Sequence, residues 1–388
     1  MIAFELTEEQ HMFRNLARQF AEEVIRPAAP EADEKEEIPW EVLLKAAQMG
    51  LLSYMYPEKY GGGGVESLLT RCLVKEQIFW GCAGVGTTVG GIDLAATPIL
   101  LAGTEEQKER AIRRFCQKDE VPLGAFALTE PDSGSDSAAM RTTAKHQGSC
   151  YLLNGTKAFI SNGGIADIHV VFAMTNREQG THGISAFIVE GDRPGLSMGK
   201  KEKKLGIRTS HTASIILENV EVPPENRLGE EGEGFKIAMQ TFDSSRTLIG
   251  AGAVGVAQAA YEYAYAYAQE REQFGQPIGR FQSIAFMLAD MATAIEAARL
   301  LVWKAAWLYD RGQPCTKESS MAKAFAADTA VRVTTDAVQI LGGYGYMRDF
   351  PVEKWMRDAK IMQIYEGTAQ IQRLIIARQL EKERQRKV

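Results

Sequence analysis

The sequence is poor in the residues that build disulfides and metal sites. Its 388 residues include five cysteines and five histidines, and no CxxC, no HExxH and no histidine pair at i, i+4 spacing occurs. Scattered cysteines in an odd number suit a reducing compartment and argue against disulfides or structural zinc. Metal catalysis has no support in the sequence, so we expect no metal site.

The chain also lacks a dense basic block, a targeting segment and a long uncharged apolar run. Its net charge is −6, and the densest basic run, residues 199–204, includes one acid and is predicted to be a solvated turn. Nucleic-acid binding is therefore disfavoured. The first ten residues do not have the pattern of a signal or transit peptide, and no stretch approaches the roughly 18 uncharged apolar residues of a membrane span. We expect the cytoplasm of a bacterium or, for a processed form, the mitochondrial matrix.

Hydrophobic periodicity changes twice along the chain, which predicts an α+β fold with three domains. Residues 1–120 have helical spacing, residues 121–232 contain short β-type runs between turns, and residues 233–388 are helical again. We expect an N-terminal α-helical domain, a middle β-barrel or β-sandwich domain and a C-terminal α-helical domain. Helices and strands do not alternate, which disfavours a doubly wound parallel sheet.

Individual residues predict where several elements begin and end. Thr7 is a plausible start of the first helix, and Pro27 and Pro30 are expected to end it. The pair Asn154-Gly155, between two β-type runs, predicts a hairpin turn. Small residues crowd the segment 82–101, which indicates that either a ligand or a neighbouring helix comes close to its backbone.

Residues 250–255, GAGAVG, match the GxGxxG spacing of dinucleotide-binding loops, and Glu270 lies at about the right distance for a ribose contact. That motif requires a preceding strand and a βαβ unit. Residues 235–267 instead have the pattern of one long helix. Close helix packing therefore explains the small residues better than a nicotinamide dinucleotide site does.

The most informative stretch is residues 361–373, IMQIYEGTAQIQR, in which Glu366 lies between Tyr365 and Gly367. Gly367 can end the preceding helix, and Thr368 can cap the next one. Glu366 would then lie in a tight turn with apolar surroundings, where loss of water raises the pKa of a carboxyl group toward the value of a general base. Spacing alone favours the alternative, an ordinary surface glutamate at a helix junction.

Two further segments accompany this turn. Residues 127–136, ALTEPDSGSD, offer hydroxyl and backbone N–H groups where a strand breaks into a loop, which suits a polar ligand. Residues 339–346 read QILGGYGY and precede Asp349, Lys354 and Asp358. In this order and spacing, the two segments and the sequence IYEGT resemble the acyl-CoA dehydrogenase family of flavoproteins. The resemblance covers essentially the whole chain, and the C-terminal third is similar to the medium-chain and short-chain members.

The resemblance implies a C-terminal four-helix bundle and a reaction. In the family, a saturated acyl-CoA becomes a trans-2-enoyl-CoA when a glutamate removes the α-proton and a hydride leaves the β-carbon for flavin N5. The thioester carbonyl is held by the FAD ribityl chain and by the backbone N–H of that glutamate, which here would be Glu366. The reduced FAD then passes its electrons to electron-transfer flavoprotein.

The resemblance also assigns cofactor contacts. The positions expected to contact FAD are Phe126, Leu128, Thr129, Phe159, Ile160, Ser161, Arg271, Phe274, Gln282, Gln339, Gly342, Gly343, Thr368 and Gln370. Arg271, Phe274 and Gln282 match positions that reach FAD from a neighbouring subunit, which implies a homo-oligomer, a tetramer in most of the family. Phe159 and Ser161 stand where the family usually has tryptophan and threonine, and the smaller ring would cover less of the flavin.

The positions expected to contact the acyl-CoA are Ser135, Asp243, Arg246, Tyr365, Gly367, Gly86 and Gly90. For Asp243 and Arg246 the alternative is a surface ion pair of little energetic value. Some family branches place the base at the position of Ser245, which cannot serve, so Glu366 is the only matched base. Glycine at 86 and 90, where medium-chain members have larger polar residues, is expected to deepen the pocket and to favour medium-to-long straight chains.

Four alternative functions stay open. The chain could act on a branched or cyclic acyl-CoA, it could be a non-catalytic assembly partner with the same fold, or it could be an acyl-CoA oxidase. Such oxidases usually have an extra C-terminal domain that 388 residues cannot hold, and the presence of Glu366 argues against a non-catalytic role. A bound yellow flavin would separate the fourth alternative, a nicotinamide oxidoreductase, from the main interpretation.

Overall fold

The computed structural model describes residues 5–385 and confirms an α+β fold, in which the strands lie between two helical regions along the sequence. Residues 1–4 and 386–388 of the predicted outer domains lie outside this range. The N-terminal helices are α1 (Glu8–Phe20), α2 (Arg26–Lys35), α3 (Trp40–Gln48), α4 (Leu68–Gly81), α5 (Ala83–Ala102) and α6 (Glu105–Phe115). Thr7 begins the first of them with a capping box shared with Gln10, as the sequence predicts.

The middle region is one eight-stranded sheet. Its strands are β1 (Gly124–Ala127), β2 (Thr143–Gln147), β3 (Cys150–Ser161), β4 (Ile168–Met174), β5 (Ile184–Glu190), β6 (Leu196–Lys201), β7 (Thr212–Val222) and β8 (Arg227–Leu228). Their order is β6-β7-β3-β2-β4-β5-β8, and β1 pairs with β4 in parallel. The basic run expected to be a solvated turn begins inside the edge strand β6. Basic side chains on an edge strand discourage pairing with other chains.

The C-terminal region is built from long helices. Its elements are α7 (Gly234–Glu270), the short strands β9 (Glu272–Gln273) and β10 (Gln276–Pro277), α8 (Gln282–Asp310), α9 (Thr316–Leu341), α10 (Val352–Ala359) and α11 (Ala369–Gln385). The helix α7 packs against α8 and α9 of its own region and against α4 and α5 of the N-terminal helices, and α11 packs against α9. The site described below is therefore reached by helices from both ends of the chain.

The prediction that Pro27 and Pro30 end the first helix is wrong. Pro27 and Pro30 both lie inside α2, and helical structure continues from Glu8 through a π-helical segment, Ala21–Ile25, to Lys35. A proline donates no hydrogen bond and crowds the preceding turn. The wider π turn shifts the hydrogen-bond register just before the first proline, which lets the helix continue.

The expected hairpin at Asn154-Gly155 is also wrong, because both residues lie within the continuous strand β3. The pairing of β3 with β7 shifts its register between Leu153 and Gly155. Gly155 has a φ of 151°, and a Cβ atom there would lie 2.5 Å from Oγ1 of Thr142. The glycine therefore serves a β-bulge and a close backbone approach.

The small residues of α5 and α7 serve helix packing. A side chain at Gly86 or at Gly252 would collide with the ring of Phe79, and one at Gly255 would collide with the backbone carbonyl of Glu76. The segment GAGAVG lies in the middle of the 37-residue helix α7, as the packing interpretation requires. By length and composition α5 could cross a membrane, yet 67% of its apolar window is buried inside the protein, as in a core helix.

Candidate active site

The turn around Glu366 is the centre of the site. The helix α10 ends at Ala359, earlier than the sequence predicts, and Glu366 and Gly367 have positive φ angles of 52° and 87°. Thr368 caps α11 as predicted, since its Oγ1 accepts a hydrogen bond of 3.2 Å from the backbone N–H of Ile371. A non-glycine residue in the left-handed region costs energy and persists only where the surroundings hold it.

The carboxyl group of Glu366 is half-buried and interacts with residues of α4, α7 and α9. Ser245 on α7 donates a hydrogen bond of 2.5 Å from Oγ to Oε2 of Glu366. Burial raises the pKa of Glu366, and the Ser245 hydroxyl and the charges of Lys323, Arg246 and Lys75 oppose this rise without cancelling it. The direction of this shift agrees with the prediction, and a raised pKa is one of the properties that a general base requires.

Two side chains that the sequence analysis did not single out hold the backbone of this turn. Nζ of Lys323 on α9 donates a hydrogen bond of 2.7 Å to the carbonyl oxygen of Gly367. Nε2 of Gln372 donates to the carbonyl oxygens of Glu366 and Gly367 over 3.1 and 3.0 Å. Lys323 is fully buried, and burial lowers its pKa to about 8. The sequence feature that could have indicated Lys323 is a lysine among alanines, in the segment MAKAFAA.

Arg246 and Asp243 lie one turn apart on α7. Nη1 of Arg246 and Oδ1 of Asp243 are 3.9 Å apart, too far for a hydrogen bond. Only 5% of Arg246 is exposed, and its Nε has no hydrogen-bond partner among residues 5–385. Burial lowers the pKa of Arg246 and raises that of Asp243. A surface ion pair does not describe this arrangement, and a buried guanidinium with an unpaired N–H is suited to a polar ligand.

The two segments expected to line the flavin lie side by side. Lys157 donates from Nζ to the carbonyl oxygen of Leu128 over 3.0 Å, and the N–H of Ala158 donates to the carbonyl oxygen of Thr129 over 2.9 Å. Phe159 follows with a φ of 58° and is 64% exposed, an unusual state for a large apolar ring inside a strand. These contacts place the two segments next to each other in the sheet domain, where Phe159 and Thr129 form a partly exposed face.

Neighbouring residues fix the rest of this face. Ile160 is buried and Ser161 is half-buried, and they pair with Ala213 and Thr212 of β7. The ring of Phe126 packs against Phe172, with centroids 4.7 Å apart, and against Phe242 of α7, with centroids 5.5 Å apart. The guanidinium of Arg246 lies 5.4 Å from the ring centre of Phe242. One aromatic row therefore joins the sheet face to the helix that bears Ser245.

A second group of expected cofactor contacts lies around a cavity of about 500 Å³ at the ends of α7 and α9. The cavity is lined by Arg271, Gly342 and Gly343, and the guanidinium of Arg271 lies 5.6 Å from the ring centre of Tyr344. Phe274, in the hairpin of β9 and β10, is 94% exposed. Within the described chain, no hydrogen bond or ring contact joins this group to the face around Thr129 and Phe159.

The remaining expected contacts stand at the surface or contact other protein groups. The exposed ones are Ser135, Gln282, Gln339 and Gln370, whose side chains form no hydrogen bond within residues 5–385. Tyr365 is half-buried and donates from its hydroxyl to Sδ of Met362 over 3.1 Å. Burial raises the pKa of Tyr365 further above its already high ordinary value. Tyr365 therefore supports the turn as a neutral phenol.

The prediction that the missing side chain at Gly86 deepens an acyl pocket is wrong. The ring of Phe79 occupies the space that a side chain at Gly86 would fill, so the missing side chain leaves no room there. Gly90 is different, because it is half-exposed and the nearest heavy atom to a Cβ at this position is Nζ of Lys75, 3.7 Å away. Among the described residues, no cluster of three or more histidine, cysteine, aspartate or glutamate side chains could hold a metal ion.

Comparison with known proteins finds similarity along nearly the whole chain. Family models described as the acyl-CoA dehydrogenase N-terminal, middle and C-terminal domains match residues 7–119, 125–220 and 232–381. An acyl-CoA dehydrogenase of Bacillus subtilis is 51% identical over 376 residues, which cover 97% of this chain and 98% of the relative.

Solved structures give the same result. The butyryl-CoA dehydrogenase of Megasphaera elsdenii has a TM-score of 0.95 and 46% identity over 98% of this chain and 100% of that chain. A chain in a structure described as the electron transferring flavoprotein of Acidaminococcus fermentans has a TM-score of 0.95 and 48% identity, with 98% and 99% covered. This chain therefore belongs to the acyl-CoA dehydrogenase family and is a flavin-dependent oxidoreductase of acyl-CoA substrates.

Proposed function

We propose that this enzyme converts a saturated acyl-CoA to the trans-2-enoyl-CoA with Glu366 as the base that removes the α-proton. The observation that carries the proposal is the half-buried carboxyl group of Glu366, whose pKa is raised by burial and whose position is fixed by a 2.5 Å hydrogen bond from Ser245. A base of this kind must be ionised at the working pH yet must hold the proton it receives. Burial and the opposing cations of Lys323 and Arg246 supply both conditions.

The backbone of the turn is the second part of the proposal. Within the described chain, the N–H of Glu366 donates to no protein acceptor, whereas the carbonyl oxygens of Glu366 and Gly367 are both held by side chains. An N–H fixed in this way can donate to the thioester carbonyl oxygen, where negative charge develops as the α-proton leaves. Arg246, with its unpaired Nε, would add positive charge near the carboxyl group of Glu366.

We propose FAD as the cofactor. The exposed ring of Phe159 and the adjoining backbone of Leu128 and Thr129 fit a large planar ring that has polar edges. When bound, the flavin would accept the hydride from the β-carbon. Arg271, Gly342 and Gly343 line a separate cavity that fits the opposite end of an extended dinucleotide. Two separate groups of contacts on one chain suggest that each cofactor is shared between subunits, and we propose a homotetramer.

For the acyl group we propose a short chain. The prediction of medium-to-long chains depended on room beside Gly86, which Phe79 occupies. A similar structure is named a butyryl-CoA dehydrogenase, and butyryl is a short acyl group. We also propose electron-transfer flavoprotein as the electron acceptor, because a similar chain occurs in a structure described by that name. The cytoplasm or the mitochondrial matrix remains the proposed location.

An anaerobic spectral titration of the purified holoenzyme tests the proposed function. Butyryl-CoA should bleach the flavin absorbance more effectively than octanoyl-CoA or palmitoyl-CoA. The variant Glu366→Gln should keep the flavin and bind butyryl-CoA, yet it should bleach at least roughly 100-fold more slowly, because general-base catalysis is lost. The control Glu381→Gln removes an exposed carboxylate of α11 and should behave as the wild type. A fully active Glu366→Gln variant would overturn the assignment of the base.

A further inference from the structure

A buried ion pair joins the helices α4 and α5. Nζ of Lys75 on α4 lies 2.8 Å from Oδ2 of Asp93 on α5, and their side chains are 6% and 11% exposed. The hydroxyl of Tyr56 donates to Oδ1 of Asp93 over 3.3 Å. A buried pair of this kind seldom adds stability compared with an apolar pair of similar size. Its presence therefore calls for a role beyond stability.

The pair lies on the side of α5 that faces the base. The Thr87 hydroxyl is within hydrogen-bonding reach of Tyr365, the residue before Glu366, and Gly90 follows Thr87 by about one helical turn. Residues three apart on a helix lie on the same face. Lys75 itself lies close enough to Glu366 to lower the pKa of that carboxyl group.

The ammonium group of Lys75 borders open space. Leaving aside its chain neighbours and the backbone of its own helix, a Cβ at Gly90 would have Lys75 Nζ, 3.7 Å away, as its one heavy-atom neighbour within 4 Å among the described residues. Gly90 is half-exposed, so the space next to it admits a solvent or ligand atom. An acyl chain that runs from Glu366 along this face of α5 would end against the ammonium group.

The hydrogen-bonding capacity of this ammonium group is only partly used. A lysine ammonium has three N–H donors, and in the described chain Asp93 is the only hydrogen-bond acceptor of Lys75 Nζ. An apolar chain end would exclude water from the remaining donors without replacing it, which is unfavourable. An oxygen atom on the chain end would accept from them.

The surrounding charges favour a neutral oxygen over an anionic one. Lys75, Lys323 and Arg246 are cations near Glu366, and the anions beside them are Asp93, Asp243 and Glu366 itself. A hydroxyl or carbonyl oxygen leaves this balance unchanged, whereas a carboxylate adds one negative charge and has only the Lys75 ammonium group to offset it. A hydroxyl, a carbonyl and a carboxylate all present the same chemistry to Lys75, which is a hydrogen-bond-accepting oxygen at the end of the acyl chain.

We propose that Lys75, held by Asp93, is a specificity-determining residue that binds an oxygen atom at the far end of a short acyl chain. The proposal depends on the proposed function, since it names the substrate class of the same site. Lys75 acts as a pocket wall and takes no part in proton or hydride transfer. It limits the length of an apolar acyl chain and favours the binding of an acyl chain that ends in oxygen.

The test compares acyl-CoAs that differ only in whether a methyl or an oxygen ends the chain. The pairs are 4-hydroxybutyryl-CoA with pentanoyl-CoA and 5-hydroxypentanoyl-CoA with hexanoyl-CoA, and glutaryl-CoA provides the carboxylate. For each pair the ratio of kcat/KM values is measured with the holoenzyme and an artificial electron acceptor. The wild type should prefer the oxygen-bearing member of at least one pair. Lys75→Met should lower that ratio roughly tenfold, mainly because the apolar substrate improves.

A second variant keeps the test decisive. Lys75→Gln retains an N–H donor without the charge, so it should keep the preference for the hydroxyl substrate and lose activity with glutaryl-CoA. If Lys75→Met fails to fold, the Gln variant carries the comparison on its own. Ratios that are the same in the wild type and in both variants would overturn the proposal. Butyryl-CoA turnover by the wild type separates this failure from failure of the proposed function, which would abolish that turnover.

Discussion

The hydroxyl of Ser245 donates a hydrogen bond of 2.5 Å to Oε2 of Glu366, which joins the long helix α7 to the turn between α10 and α11. Ser245 occupies the position that some family branches use for the base. In this chain it cannot take the proton, but it contacts the residue that is proposed to do so. The bond favours the ionised form of Glu366, because a hydroxyl donor stabilises a carboxylate.

We expect Ser245→Ala to raise the pKa of Glu366, since a hydrogen bond that opposes the effect of burial is lost. The acidic limb of the profile of kcat/KM against pH should move to higher pH. In the acidic range kcat/KM should fall roughly tenfold, because a hydrogen bond to a charged group contributes about 1.5 kcal/mol. Well above the shifted pKa, activity should approach that of the wild type.

Ser244→Ala is the matched control for this prediction. Ser244 is also a buried serine of α7, but its hydroxyl donates to the backbone carbonyl of Thr241. Its removal should leave the pH profile unchanged. Equal shifts in the two variants would show that the effect comes from the helix and that the contact with Glu366 does not matter.

Glu366→Gln should make stability less dependent on pH. Since the folded-state pKa of Glu366 is raised above its ordinary value of 4.5, the folded protein holds the proton more tightly than the unfolded chain does. The stability that this gives is fully present below pH 4.5 and is lost as pH rises through the raised pKa. Denaturant unfolding of both proteins across this range should show that the free energy of unfolding of the variant increases relative to that of the wild type as pH rises. A difference that does not vary with pH would contradict the pKa shift.

Much of this site follows from local sequence. Gly367 has the positive φ that the turn requires and Thr368 caps α11, so the turn and its carboxylate can be predicted from residues close together in the chain, although α10 already ends at Ala359. The same holds for the long helix α7, where continuous helical periodicity outweighs the GxGxxG match. Local signals succeed in these places because the cause of the structure lies within a few residues.

Other features depend on contacts that the sequence does not display. Lys323 holds the carbonyl of Gly367 from another helix, and Phe79 fills the space beside Gly86 from the preceding one. Gly155 looks like a hairpin residue, yet Thr142 and the register of β7 determine its place in a strand. In each case tertiary packing decides the role, and a glycine has several possible uses that only packing can distinguish.

Lys323→Met should lower kcat by about tenfold or more with a smaller change in KM. The variant loses the hydrogen bond to Gly367 that fixes the turn, and a charged hydrogen bond contributes about 1.5–3 kcal/mol. It also loses a cation that lowers the pKa of Glu366, so the acidic limb of the pH profile should move to higher pH. The control Lys317→Met removes a lysine of α9 that pairs with Glu318 and Glu383, and it should leave both quantities unchanged.

Asp358→Asn should be strongly destabilising, because it leaves a buried lysine without its counter-charge. Asp358 is fully buried and accepts hydrogen bonds of 2.5 Å from Nζ of Lys354 and from the backbone N–H of Ile207. Burial alone would lower the pKa of Lys354, but the Asp358 carboxylate raises it well above its ordinary value. Removing one member of a buried pair typically costs about 3–5 kcal/mol. The midpoint of denaturant unfolding at neutral pH measures the loss.

The double variant Lys354→Met/Asp358→Leu decides whether the loss of stability comes from an unpaired charge or from the missing hydrogen bond to the N–H of Ile207. If the unpaired charge dominates, the double variant should be more stable than Asp358→Asn, since two apolar side chains of similar size replace the pair. If the hydrogen bond to Ile207 dominates, the double variant should be the less stable of the two, because leucine cannot accept the hydrogen bond from the N–H of Ile207. We expect the first order, because the asparagine of the single variant would still offer an oxygen to that N–H while Lys354 stays charged and buried.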